Sequence, residues 1–230
     1  FWEKYEFFIR HSAGLGKSPI KRDPDIYDNR NIHCDVLVVW AGISGILAAK
    51  NAAKNNYKTL LLDEKNELGG SIIFETNENK KINNTFSSEW LKKEISELKN
   101  IKNHEIKTRT SVAAYHEYNN LLARENWTDH LEKKDKKNKI RQRLLKIRAK
   151  KVILATGALE RPLVFNNNDR PGIMLSSAVK KYIDFYGVAC GKKIFFLQTM
   201  IALMKVLYLC TTKELKLMLL LISGKILMQK

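Results

Sequence analysis

Gly42, Ser44 and Gly45, followed about twenty residues later by the acidic pair Asp63 and Glu64, are the residues of this chain whose types and spacing could do chemistry. That chemistry is capture of a dinucleotide. Two glycines at a strand-to-helix turn let backbone approach a pyrophosphate. The free N–H groups at a helix start near Ser44 bind its charge, and a carboxylate beyond the next strand accepts hydrogen bonds from ribose hydroxyls. A carboxylate there repels a 2′-phosphate, so NAD or FAD is expected rather than NADP. Further along, Leu68-Gly69-Gly70-Ser71 offers a flexible turn, and Ala155-Thr156-Gly157 closes an apolar run with small residues that admit a nucleotide's backbone. No residue stands out as a general acid, base or nucleophile.

These residues need a strand, a tight turn and a helix to hold them. Asp35 to Val39 is a short valine-rich run that reads as a buried parallel strand, and Ile43 to Lys54 reads as the helix packed on it. Lys58 to Leu62 is a second strand, so residues 35–78 form a βαβ half. The first glycine of the fingerprint is replaced by Trp40. A tryptophan in a glycine conformation either strains the backbone by about 1 to 3 kcal/mol or pushes into the pyrophosphate path.

Several blocks resemble the alpha subunit of heterotetrameric sarcosine oxidase, from Phe1 to about Ile194. They are Phe1-Trp2-Glu3-Lys4-Tyr5 with Ala13-Gly14-Leu15-Gly16, His33 to Val39, Asp63-Glu64-Lys65 with Glu67 to Ser71, Thr128 to Leu131, and Arg141 to Leu144. The longest is Ala155 to Phe165, extended by Asn168-Asp169-Arg170-Pro171-Gly172. The resemblance implies an α/β fold: a Rossmann-like FAD/NAD(P)-binding domain with a parallel sheet, a β insertion and the start of a second dinucleotide unit. It also implies an oxidoreductase complex of alpha, beta, gamma and delta subunits that demethylates sarcosine to glycine with tetrahydrofolate and oxygen. NAD is expected in this domain, with FAD, FMN and tetrahydrofolate elsewhere in the complex. The NAD contacts implied are Gly42, Ser44, Gly45, Asp63, Glu64, Lys65, Gly70, Ser71, Val112, Ala155, Thr156 and Gly157. Two alternatives stay open: an FAD-binding subunit of a related amine or opine oxidase, and a degenerate, non-catalytic nucleotide fold blocked by Trp40.

With 230 residues and 44% apolar content the chain can bury a full domain core. A net charge of +17 raises nucleic acid or an acidic surface as a partner. Lysine supplies 31 of the 41 cations and asparagine occurs 19 times, so A-rich codons account for the bias. Neither a nucleic-acid nor a membrane partner is expected. The run Lys133 to Lys139 reads as a solvated hairpin tip between two insertion strands, Ala113 to Leu131 and Ile140 to Arg148. Cys34, Cys190 and Cys210 lack metal or disulfide spacing, which suits a reducing, cytoplasmic compartment.

Three segments are expected along the chain: 1–34 as an amphipathic helix and extended linker, 35–194 as the dinucleotide domain with its insertion at about 106–148, and 195–230 as an aberrant tail. Helices are expected at Ser87 to Leu98 and Ser176 to Tyr186, the latter ended by Gly187, and a strand at Gly191 to Phe195. The tail's apolar runs are cut by Lys205, Lys213, Glu214, Lys216 and Lys225, too short for a bilayer. Back-translated, it gives a nucleotide string whose shifted frame reads as strand, helix, strand, although Met200, Met204, Met218 and Met228 leave no codon choice. A frameshifted tail, expected to lie disordered or poorly packed, follows from this. Trp40 shares a possible origin, since glycine and tryptophan codons differ by one base. Phe1 reads as a cut inside a longer protein.

Overall fold

The computed structural model describes residues 2–14, 20–74, 81–136, 138–191, 193–198 and 216–221. Its centre is a six-stranded sheet. The strands are β1 (Ile26–Val39), β2 (Thr59–Leu62), β5 (His104–Lys107), β6 (Thr110–His116), β7 (Asn120–Asn126) and β8 (Ile140–Leu154), in the order β5-β2-β1-β8-β7-β6. The first four in that order run parallel, while β7 and β6 are antiparallel. A small hairpin, β3 (Lys81–Ile82) with β4 (Thr85–Phe86), lies apart from it.

Alternation along β1 and β2 divides the core into two layers. Val36, Val38 and Leu61 face helices α2 (Ile43–Lys54) and α3 (Ser87–Asn100), meeting Ile46, Ala49, Trp90, Leu91 and Leu98. Leu37, Val39, Leu60 and Leu62 face the other way, onto Leu121, Ala123, Leu145 and Ile147. Leu37, Leu60, Leu62, Leu121 and Leu145 are all at most 1% exposed. Burial of each stabilises the fold by about 1.5 to 3 kcal/mol. Lys50 of α2 clamps α3 by bonding Glu94 at 2.5 Å and Glu97 at 2.5 Å.

Three expectations change. The last part of the linker before residue 35 is strand: Ile26 to Cys34 pairs in parallel with Ile140 to Ala149, with a register shift between Ile26 and Tyr27. Its inward positions hid this, because Asp28 and Arg30 interrupt the apolar alternation, and Asp28 is drawn in by Arg143 at 3.0 Å. The expected strand Ala113 to Leu131 is broken at Glu117–Asn119, where Tyr118 and Asn119 take φ of 57° and 53°. The insertion's last strand and the strand expected at Lys151 are one continuous β8. Within the cationic tip, Lys133–Lys136 forms a short helix, α4.

The helix α1 (Trp2–Ser12) lies within the expected N-terminal segment, and α5 (Ser176–Asp184) within the expected second helix. Beyond it, β9 (Lys193–Gln198) pairs in parallel with β10 (Lys216–Leu221). The described parts of the tail, 195–198 and 216–221, thus lie in paired strands. The remaining tail, 199–215 and 222–230, lies outside the described residues, as does Cys210. Among the described residues ten non-glycine positions have positive φ, and seven of them are asparagines, so part of the asparagine surplus serves left-handed turns. The other three are Trp40, Arg109 and Tyr118.

Candidate functional site

β1 ends at Val39 and the chain turns sharply at Trp40, whose φ is 74°. Its N–H donates to the Leu62 carbonyl at 2.8 Å, and the Gly42 carbonyl accepts the first intrahelical bond of α2, from Ile46 at 2.9 Å. The amides of Ile43, Ser44 and Gly45 therefore stand at the helix start, available to an anion. Each glycine has its own reason. A Cβ on Gly45 would lie 1.9 Å from the Trp40 carbonyl oxygen and 3.4 Å from the Ala155 Cβ, so the third fingerprint position cannot carry a side chain. A Cβ on Gly42 would meet nothing within 4 Å, which leaves open space over the turn.

Leu68 to Ser71 is not a free-standing flexible turn. Gly70–Phe74 forms a 3-10 helix, and the Gly69 N–H donates to the Ala41 carbonyl at 2.8 Å. Gly70 packs so closely that a Cβ there would approach the Gly42 Cα at 3.0 Å. Ser71 is exposed beside it. On the far side, the Ala155 N–H donates to the Val39 carbonyl at 2.9 Å, which brings Ala155, Thr156 and Gly157 to the same end of the sheet as Gly42. Thr156 is exposed, and Gly157, at φ 69°, has nothing within 4 Å of its Cβ position. Gly42 and Gly157 thus form two open walls of a cradle that side chains would fill.

The acidic pair divides its labour. Asp63 is 3% exposed, and its carboxylate accepts the Ala41 N–H at 2.7 Å and the Lys65 N–H at 2.8 Å. Both oxygens are engaged by backbone, which ties the glycine turn to the end of β2. Glu64 is exposed. With Lys65, Asn66, Arg109, Asn126, Asp129 and His130 it lines a cleft of about 270 Å³. Of the two acids, Glu64 is the one whose carboxylate faces solvent and the cleft. Lys65 also lies over the Phe74 ring at 5.0 Å. Val112 is half-buried on the other side of the sheet, in the same apolar layer as Trp40.

That layer also receives Trp40. Trp40, like Val112 and Val152, packs against the core that holds Leu37, Val39 and Leu62, and no Trp40 atom lies within 4 Å of a Cβ position at Gly42. At φ 74° Trp40 carries left-handed backbone strain of about 1 to 2 kcal/mol.

A residue without a local sequence signal completes the edge of the site. Glu160 accepts hydrogen bonds from the Ser176 Oγ at 2.6 Å, the Ser176 N–H at 3.1 Å and the Ser177 N–H at 2.8 Å, capping α5 from a distance. Burial pushes its pKa up, and these donors more than offset that, leaving it below the usual carboxylate range. A carboxyl depressed on folding stabilises the native state above its unfolded pKa, and that contribution disappears as pH falls through the folded value. Amide hydrogen exchange should show α5 losing protection, before the core sheet does, as pH falls below the ordinary glutamate range. Glu160→Gln should lose the same protection already at pH 7.

A larger cleft, about 480 Å³, opens at the opposite strand ends and includes His33, Cys34, Lys58 and Glu105. Burial pushes the Cys34 thiol up to about 11, so it is not a nucleophile at neutral pH. Among the described residues no cluster of His, Cys, Asp and Glu could hold a metal ion.

Comparison with known proteins agrees with this geometry. The family model for pyridine nucleotide-disulphide oxidoreductases matches residues 34–186. Sarcosine oxidase subunit alpha from Corynebacterium sp. (strain P-1) is 41% identical over 181 residues, which cover 79% of this chain and 18% of that protein. The same subunit from Rhizobium meliloti (strain 1021) is 38% identical over 192 residues, covering 83% of this chain and 19% of that one. The chain thus spans less than a fifth of these relatives' length. Among solved structures, L-proline dehydrogenase from P. horikoshii superposes with a TM-score of 0.65 at 20% identity, over 91% of this chain and 40% of that one. Thioredoxin reductase from T. acidophilum gives a TM-score of 0.50 at 17% identity, over 84% and 67%. Those two similarities carry the Rossmann-like fold. The matched family model and the curated homologues together place the chain in the pyridine nucleotide-disulphide oxidoreductase family, as a homologue of sarcosine oxidase alpha subunits.

Proposed function

We propose that this chain is the NAD-binding part of a sarcosine-oxidase-type alpha subunit. In this reading it joins beta, gamma and delta subunits in a cytoplasmic complex that oxidatively demethylates sarcosine to glycine. FAD, FMN and tetrahydrofolate are held outside these residues. The observation that carries the reading is the convergence of the α2 amide terminus, the open Gly42 and Gly157 walls and the exposed Glu64 at one end of the parallel strands. The amides of Ser44 and Gly45 would hold the pyrophosphate, with Ser71 and Thr156 flanking it. Glu64 would hold the ribose hydroxyls. These residues bind and orient, and the described residues offer no acid–base pair for the oxidation itself. No helix among the described residues is long and apolar enough to cross a membrane.

Calorimetric titration of the purified subunit with NAD tests this, together with its visible spectrum. Saturable NAD binding without flavin absorbance from this site supports it. Flavin bound at this site would instead favour the related amine or opine oxidase reading. Glu64→Gln is expected to weaken NAD binding about tenfold, the worth of one charge-assisted hydrogen bond, with little change in Tm. Trp40→Gly is expected to leave the dissociation constant within about threefold, because Trp40 packs on the core and no atom of it comes within 4 Å of the Gly42 Cβ position. A gain of orders of magnitude would show that the indole obstructs the site. No binding by either form would favour the degenerate, non-catalytic module.

We further propose that residues 195–230 are a frameshifted translation. Sequencing the gene tests this, and the absence of an intact shifted frame would overturn it.

A further inference from the structure

The sheet that carries the site has a second, uncovered surface. Where β1, β8, β7 and β6 lie side by side, the residues facing away from Leu145 and Ile147 are solvent-exposed or half-buried. The pairing sets Leu144 opposite Arg124, Lys146 opposite Leu122 and Arg148 opposite Asn120. On β1 the same rows hold Asn29, Asn31 and His33. On β6 they hold Ser111, Ala114 and His116. These three rows contain no carboxylate. Arg124, Lys146 and Arg148 have no acidic partner among the described residues, whereas Arg143, on the opposite face of β8, pairs with Asp28 and Glu125. Among the described residues carboxylates flank the patch on two sides: at Glu117 and Asp35, which Lys150 holds at 2.7 Å, and, in the row beyond Leu144, at Asp129 and Asp23, which accept from Gln142 at 3.1 Å and from Tyr27 at 2.7 Å.

We propose that this face docks an acid-rich surface of another protein chain. Lys146 and Arg148 stand about 6.7 Å apart, as alternate residues of one strand do. Arg124 reaches the same plane from the neighbouring strand. Leu122, Leu144 and Ala114 lie between the cations, which suits interleaved protein side chains. No Phe, Tyr or Trp lies within the three rows to stack on a base, which disfavours single-stranded nucleic acid. A second copy of this chain is disfavoured by its own +17 charge. Unpaired cations on a flat face gain most from carboxylates that arrive already fixed on a folded partner, since neither side then has to give up an existing ion pair.

The test uses labelled poly-L-glutamate as the acidic probe, with fluorescence anisotropy of the full chain at several salt concentrations. Combined Arg124→Glu, Lys146→Glu and Arg148→Glu is expected to weaken binding about tenfold or more and to flatten the salt dependence. A control with the same charge change elsewhere, Lys92→Glu, Lys134→Glu and Lys139→Glu, is expected to stay within about twofold. Equal losses in the two variants would show attraction to net charge alone and overturn the proposal. So would absence of binding, or tighter binding of an oligothymidylate at the same face. If the first variant does not fold, lysine acetylation of the unmodified protein decides. Lys146 protected by the probe while Lys134 is not supports the surface, and equal protection overturns it.

Discussion

Gly45→Ala is expected to destabilise the protein by roughly 3 kcal/mol or more and to lower Tm on the order of 10 °C, although it adds one methyl group in a residue type that favours helices. The added Cβ would sit 1.9 Å from the Trp40 carbonyl oxygen, which is backbone and cannot rotate away. Trp40 is fixed from both sides. Its N–H is bonded to Leu62, its φ of 74° leaves little freedom, and its indole is packed in the layer with Val112 and Val152. Either α2 lifts off β1, opening the contacts of Ile46 and Ala49, or the turn deforms. Thermal unfolding followed by circular dichroism measures the loss. A Tm within a degree or two of the unmodified protein would mean that the turn yields easily, and the account of Gly45 as the close-packing glycine would be wrong. Gly42→Ala is the contrast, because its Cβ would enter open space and its φ of −69° suits any residue. That variant should keep its Tm and lose nucleotide affinity.

The contrast shows what was legible in the residues alone and what was not. The βαβ unit was legible, since an unbroken run from Val36 to Val39, two glycines and an alanine-rich helix allow few other arrangements. Spacing placed a carboxylate at the end of β2 but could not choose between adjacent acids. Asp63 turns inward to two backbone amides and Glu64 outward to the cleft, a distinction that only the fold makes. The extension of β1 back to Ile26 was illegible because its inward side is polar where Asp28 meets Arg143. Glu160 was illegible for a different reason: a cap supplied from a remote loop leaves no capping residue beside the helix it serves.

The division between the two acids yields the second large expected effect. Asp63→Ala should cost about 3 to 5 kcal/mol, because it leaves the Ala41 and Lys65 amides without their acceptor in a site that is 3% exposed. Asp63→Asn keeps one acceptor oxygen but turns an NH2 group toward the other amide, so about half of that loss should persist. The ribose reading of Asp63 makes the opposite prediction, since a ligand-facing carboxylate can be neutralised with little effect on folding. Glu64→Gln supplies the matching arm. Measured together, denaturant unfolding and NAD titration should separate cleanly, with Asp63 variants moving stability in the absence of nucleotide and Glu64 variants moving affinity at unchanged stability. If Asp63→Asn instead leaves unfolding unchanged and abolishes binding, the roles of the two carboxylates are reversed and the turn must be held by the Trp40–Leu62 and Gly69–Ala41 bonds alone. Those two bonds fix Trp40 and the Ala41 carbonyl, but neither satisfies the Ala41 N–H. That buried donor is why the larger cost should fall on Asp63.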